Sequence, residues 1–233
     1  MFRIHCFQLL LLKKAAVMTL AIGLVLAEPV YADPSLPIVK DQGGYSIEVY
    51  PARHKLIVLK DRQHFKTYSV AVGNPSTPTP VGEYKIVYKG TDWGPSFGPR
   101  WLGLNVPWGT YGIHGTNKQY SIGRHLSHGC IRMRNRDVEE LYEMIPVGTK
   151  VTIFGHVLGD ANQEPRRLAE GDSGADVQLI QNRLKIAGYF KGECNGKFRS
   201  STAEALRRFQ RDHRMPQDGV VSERIYIMLG LLE

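Results

Sequence analysis

Between Tyr45 and Phe154 apolar and polar residues alternate in short runs. That period of two predicts strands over 46–50, 55–59, 64–72, 83–88, 101–106, 111–114 and 150–154. Gly/Pro clusters at 73–82 and 94–99 interrupt them, a pattern suited to a small sandwich or barrel. One stretch changes period. Val138, Leu141, Met144 and Ile145 fall on one helical face. Asn135 is placed to cap that helix, Asp137, Glu139 and Glu140 load its first turns with acid, and Pro146 stops it. The expectation is a mainly β domain over 44–155, with one or two helices.

Residues 156–167 carry no periodicity and read as a linker. Beyond them Val177, Ile180, Leu184 and Ala187 recur at helical spacing until Gly188. Thr202, Ala205, Leu206 and Phe209 mark a second helix, and Ile225, Met228 and Leu229 a short third one. Residues 168–233 are therefore expected to form a small three-helix domain with a thin core.

The first 32 residues stand apart. Arg3, Lys13 and Lys14 precede the apolar run Ala15 to Leu26, with small residues at Ala27 and Ala32. This is the layout of a secretory signal peptide, with cleavage expected after Ala32. The run falls short of the roughly 20 apolar residues of a membrane span. An uncleaved leader would leave the protein associated peripherally with the outer face of the membrane. Removing 1–32 leaves 27 basic and 21 acidic side chains, a balance of +6. With no long Lys/Arg block, that charge argues against a nucleic-acid partner and suits an anionic matrix such as a cell wall. The expected location is exported, in the cell wall or periplasm, and the expected state is a monomer. Cys6 leaves with the signal peptide, so Cys130 and Cys194 remain; lying 64 residues apart in different domains, they are read as unpaired.

The C-terminal segment resembles the peptidoglycan-binding module carried by many wall enzymes. The matching residues are Leu168, Gly171-Asp172, Ser173-Gly174, Val177 to Leu184 and Gly188-Tyr189-Phe190. They continue through Asn195-Gly196-Lys197-Phe198, Thr202, Ala205, Leu206, Phe209-Gln210 and Asp218-Gly219. Asn195 stands where an aspartate is usual, a change the turn tolerates. The resemblance implies peptidoglycan as the partner.

The chemistry is concentrated in residues 114–132. His114-Gly115-Thr116 is followed, eleven residues later, by Ser127-His128-Gly129-Cys130-Ile131-Arg132. A thiol becomes a strong nucleophile when a base or a positive field favours thiolate, and Arg132 with the helix start at 135 offers such a field. In extended chain His128 and Cys130 share a side. His114 ends a strand, and the Gly/Asn/Ser loop after it can return toward the cysteine. Two imidazoles can thus reach one sulfur, one as base and one as oxyanion or substrate partner. Two other readings compete: a cysteine filling the core, and a zinc shell of His114, His125, His128 and Cys130. The glycines that bring backbone close to a ligand weigh against the first, the cramped 125-128-130 spacing against the second. No metal or cofactor is expected.

These paired blocks, with Thr79-Pro80-Val81-Gly82-Glu83-Tyr84 and Gly98-Pro99-Arg100-Trp101-Leu102 upstream, resemble the signature of the L,D-transpeptidase (YkuD-type) catalytic domain. The resemblance implies that Cys130 is the nucleophile and His114 the general base. It implies that the Gly115 carbonyl orients the imidazole and that His128 and Gly129 lie in the oxyanion and substrate region, with the Gly129 and Cys130 amides as donors. Arg132 and Ser127 are implied to bind substrate, Arg132 through a carboxylate. The implied activity is a secreted peptidoglycan L,D-transpeptidase that forms 3→3 stem cross-links through a cysteine thioester. The alternatives are an L,D-carboxypeptidase trimming tetrapeptide stems and a catalytically silent wall-binding protein, the latter disfavoured by the intact His114/Cys130 pair.

Overall fold

The computed structural model describes residues 44–159 and 164–232. The leader assigned to 1–32 and linker residues 160–163 lie outside the described residues.

The alternating segments become strands β1 (Tyr45–Tyr50), β2 (Lys55–Lys60), β3 (Gln63–Ser69), β5 (Gly82–Thr91), β6 (Arg100–Leu104), β7 (Tyr111–His114) and β10 (Lys150–Ile153). Three shorter strands add to them: β4 (Val72–Gly73), β8 (His125–Ser127) and β9 (Ile131–Arg132). Eight of the ten form one curled mixed sheet in the order β3-β2-β1-β10-β5-β6-β7-β9. Within it β1 runs parallel to β10 and β7 parallel to β9. The remaining two, β4 and β8, pair with each other. The domain is mainly β, as its patterning predicts.

The period of two is visible in the burial. Ile47 and Val49, Leu56 and Val58, and Val151 and Ile153 all point into one core, which their neighbours leave. Helix α1 (Asn135–Met144) lies against β6 and β7 and adds Val138 and Leu141 to that core. Each such side chain stabilises the fold by roughly 1.5–3 kcal/mol on burial. The α1 start differs from expectation. Arg134 occupies the cap position without a side-chain cap bond, and Asn135 is the first helical residue, its carboxamide engaged elsewhere.

The helical domain comprises α2 (Ala175–Ile186), α3 (Ser200–Asp212) and the short α4 (Glu223–Met228). Val177, Ile180 and Leu184 meet Leu206, Phe209, Ile225 and Tyr226 in a separate core. Two buried glutamines fix its turns. Gln181 donates to the Lys197 carbonyl (2.9 Å) and the Thr202 hydroxyl (3.1 Å), and its carbonyl accepts the Gly196 amide (2.9 Å). Gln210 donates to Asp218 (2.6 Å) and accepts from the Gly219 amide (2.9 Å). Each buried amide group is thereby satisfied, which burial demands. Cys130 and Cys194 are both free thiols.

Candidate active site

The site begins with His114 at the end of β7. On one side it pairs with Trp101 of β6, on the other with Arg132 of β9. The His114 carbonyl accepts the Met133 amide (2.8 Å), so the backbone entering and leaving the Cys130 turn is tied to the histidine strand. Cys130 immediately precedes β9, whose Ile131 pairs with Ile113 of β7, and its thiol faces the Thr110 carbonyl at 4.0 Å.

Three groups hold the imidazole, which is only 3% exposed. Nδ1–H donates to the Gly115 carbonyl at 2.5 Å, a contact that fixes the tautomer and leaves Nε2 with its lone pair. The ring stacks on Trp101 (5.2 Å, 16°) and meets the edge of Phe97 (5.1 Å). Gly115 is itself held, its amide donating to the Arg100 carbonyl (3.3 Å). Burial depresses the His114 pKa from 6.5 to about 4, and the nearby Arg132 charge adds to the effect; the Gly115 carbonyl opposes it. The resting histidine is neutral.

The thiol departs from expectation. Arg132 and the Gly112 amide both favour thiolate, but burial is the larger influence and pushes the Cys130 pKa up. At neutral pH the Cys130 thiol and the His114 imidazole are therefore both neutral.

The turn that carries the cysteine is built by Ser127. Its side chain is fully buried; the hydroxyl donates to the Cys130 carbonyl (2.5 Å) and accepts the Gly129 amide (3.1 Å). Ser127, expected at the substrate, is thus committed to shaping the loop. The Gly129 amide, expected as an oxyanion donor, points in this structure at that hydroxyl. Gly129 adopts φ +107°, and a Cβ there would lie 2.7 Å from the Tyr111 ring, so the position requires glycine. The turn is anchored from outside as well. Asn74 donates its amide (3.0 Å) and its side-chain nitrogen (3.1 Å) to the Ser127 carbonyl. Ala71 and Arg132 exchange backbone bonds of 2.8 and 2.9 Å.

The Arg132 guanidinium donates to the Leu126 carbonyl (3.0 Å). His128 is exposed and faces a cleft shared with Tyr111. Among the described residues no cluster of three or more His, Cys, Asp or Glu is placed to hold a metal ion. The zinc shell weighed from the sequence is therefore not assembled; His125 instead meets His54 edge-on at 4.5 Å.

One positioning residue escapes the sequence reading. The Asn135 side-chain carbonyl accepts the Thr116 amide (2.8 Å) and lies close against Gly115 and Gly98. It couples the start of α1 to the carbonyl that orients His114. Gly112 is a second. A Cβ there would sit 2.5 Å from the Trp101 indole and 2.8 Å from the Leu102 carbonyl. Gly112→Ala is therefore expected to displace the ring on which His114 rests, costing about 1–3 kcal/mol of stability and lowering kcat. Thermal melts together with turnover check this; a variant with wild-type melting and wild-type kcat would refute the packing argument.

Residues 44–153 match the family model for the L,D-transpeptidase catalytic domain, and residues 173–229 match that for a "Putative peptidoglycan binding domain". The chain is 45% identical over 109 residues to the "Putative L,D-transpeptidase YkuD" of Bacillus subtilis, a match covering 47% of this chain and 65% of that protein. It is 52% identical over 88 residues to the protein of the same name from Bacillus licheniformis, covering 38% and 52% respectively. The chain thus spans less than two thirds of the length of these relatives. A crystal structure of an Enterococcus faecium L,D-transpeptidase aligns at 27% identity and a TM-score of 0.43, over 48% of this chain and 50% of that one.

Proposed function

Because residues 44–153 belong to the L,D-transpeptidase catalytic domains and residues 173–229 to the peptidoglycan-binding domains, we propose that this protein is an exported enzyme joining peptidoglycan stem peptides by 3→3 cross-links through a Cys130 thioester. The observation that carries the reading is the buried neutral His114, its Nδ1–H on the Gly115 carbonyl and its strand paired with the one that follows Cys130.

The chemistry runs in two acyl transfers. Nε2 of His114 takes the thiol proton as the sulfur attacks the carbonyl carbon of the third stem residue. The resulting oxyanion sits among His128, the Cys130 amide and the Gly129 region. The C–N bond to the terminal D-residue breaks, and the departing amine takes the proton from His114. An amine of a neighbouring stem then attacks the thioester and passes its proton to His114, and as the C–S bond breaks the departing sulfur takes that proton back. Arg132, already directed along the strand end, supplies positive charge for a substrate carboxylate. The wall-binding domain raises the local concentration of stems around this site.

Incubating the full-length protein with purified tetrapeptide muropeptides and reading products by mass spectrometry tests the assignment. Cross-linked dimers that have lost one terminal residue per bond are expected. Shortened monomers alone would make water the acceptor and the enzyme an L,D-carboxypeptidase. Unchanged substrate would overturn the catalytic reading.

A further inference from the structure

The helical domain does more than follow the catalytic one. Its Gly196 lies on Trp108 so closely that a Cβ would stand 2.5 Å from the indole. Trp108 belongs to the catalytic core, where its ring meets the Tyr84 edge at 6.4 Å. Ala175, the first residue of α2, packs against that same core. Beside these contacts opens a cleft of about 350 Å³. Thr77, Pro78, Tyr111 and His128 line it on the catalytic side, Asp172 and Ser173 on the helical side.

The cleft is continuous with the nucleophile's loop. Gly129 sits against the Tyr111 ring, and the Pro78 carbonyl would lie 3.3 Å from a Cβ there. Tyr111 thus lies both in the cleft and against the loop that carries Cys130. The helical side of the cleft is also rigid. Arg166 forks onto Asp176 (2.6 and 3.1 Å) and donates to the Ser173 carbonyl (2.7 Å). The Gly174 amide donates to the Gly196 carbonyl (2.9 Å), and Ser173 bridges Lys197. A wall fixed in this way is preorganised to meet a ligand.

Building on the activity proposed above, we infer that residues Asp172 and Ser173 of the helical domain form one wall of the substrate site, so that a stem peptide reaching Cys130 is gripped between them and Thr77-Pro78. The domain then contributes to recognition of the stem itself, in addition to any hold on the wall. A soluble stem with no wall attached should already sense it.

The test places an indole in the cleft from the helical side, where the parent residue is small and exposed. In full-length Ser173→Trp, KM for a soluble tetrapeptide stem should rise at least tenfold. Alkylation of Cys130 by iodoacetamide should stay within twofold of wild type, since the loop around the sulfur is untouched. Lys191→Trp, on an exposed turn of the same domain, should leave KM unchanged. A wild-type KM in a normally melting Ser173→Trp protein would overturn the inference. Should that variant melt early, Ser173→Arg takes its place under the same criteria. Direct titration of the stem into Cys130→Ala, with and without Ser173→Trp, separates the two proposals. Weakened binding by the double variant supports the wall even if turnover is absent, whereas equal binding, or none in either protein, refutes it.

Discussion

Cys130→Ala is expected to abolish acyl transfer, lowering turnover by about 10⁴-fold or more, the scale seen when the covalent nucleophile of an acyl-transfer site is removed. Fold stability should change little. The side chain is half-buried rather than central, and the bonds that shape its loop come from Ser127 and Asn74. Loss of activity with retained melting is therefore the signature of a chemical role. Mass spectrometry supplies the second readout: wild type trapped with stem should gain a covalent acyl mass on the peptide containing Cys130, and the variant should not. Cys194 gives the internal control. It is also a free thiol, but it packs in the helical domain against that domain's own core. Cys194→Ala should retain wild-type turnover. Full activity in Cys130→Ala would remove the thioester from the mechanism, and an acyl group found on Cys194 would relocate it.

The legibility of the site in the sequence follows the range of the interactions involved. His114, Gly115 and Cys130 lie in short motifs, and the backbone around them is strand and turn, so local pattern places them. The strands with four or more alternating residues were visible for the same reason. β4, β8 and β9 were not, because two or three residues display no period; they exist through backbone pairing with distant segments such as Val72 with His125 and Ile131 with Ile113. Asn135 looked like a helix cap, since its type and position suit one. It is drawn instead to the Thr116 amide, a partner 19 positions earlier that only the fold brings near. The thiol is the sharpest case. Arg132 and the helix start at 135 are readable as charges, whereas burial is a tertiary quantity, and burial is the larger influence on Cys130. Likewise the wall formed by Asp172 and Ser173 depends on how Trp108 and Ala175 dock, which no local pattern encodes.

Burial of His114 also sets the pH behaviour, and His114→Gln exposes it. Glutamine keeps much of the volume but cannot accept and return a proton, so kcat should fall by about 10²–10⁴-fold. In the wild type the acid limb of kcat/KM should lie near pH 4, where the buried imidazole protonates, instead of near its ordinary 6.5. Stability should follow the same group. Unfolded His114 takes up a proton as pH falls through 6.5, while the folded one resists until about 4. The unfolded state thus binds more protons across that window, and stability declines as pH falls from 6.5 toward 4. The shift from 6.5 to about 4 corresponds to a loss on the order of 3 kcal/mol. Above pH 6.5 neither state carries the proton and this contribution is complete. His114→Gln has no such group, so its denaturant midpoint should decline less steeply over the same window. Parallel declines in the two proteins would mean that the imidazole titrates normally, and an acid limb near 6.5 would say the same from kinetics. With the limb near 4 and the slope reduced in His114→Gln, rate and stability would both report one buried neutral imidazole, poised to receive the Cys130 proton.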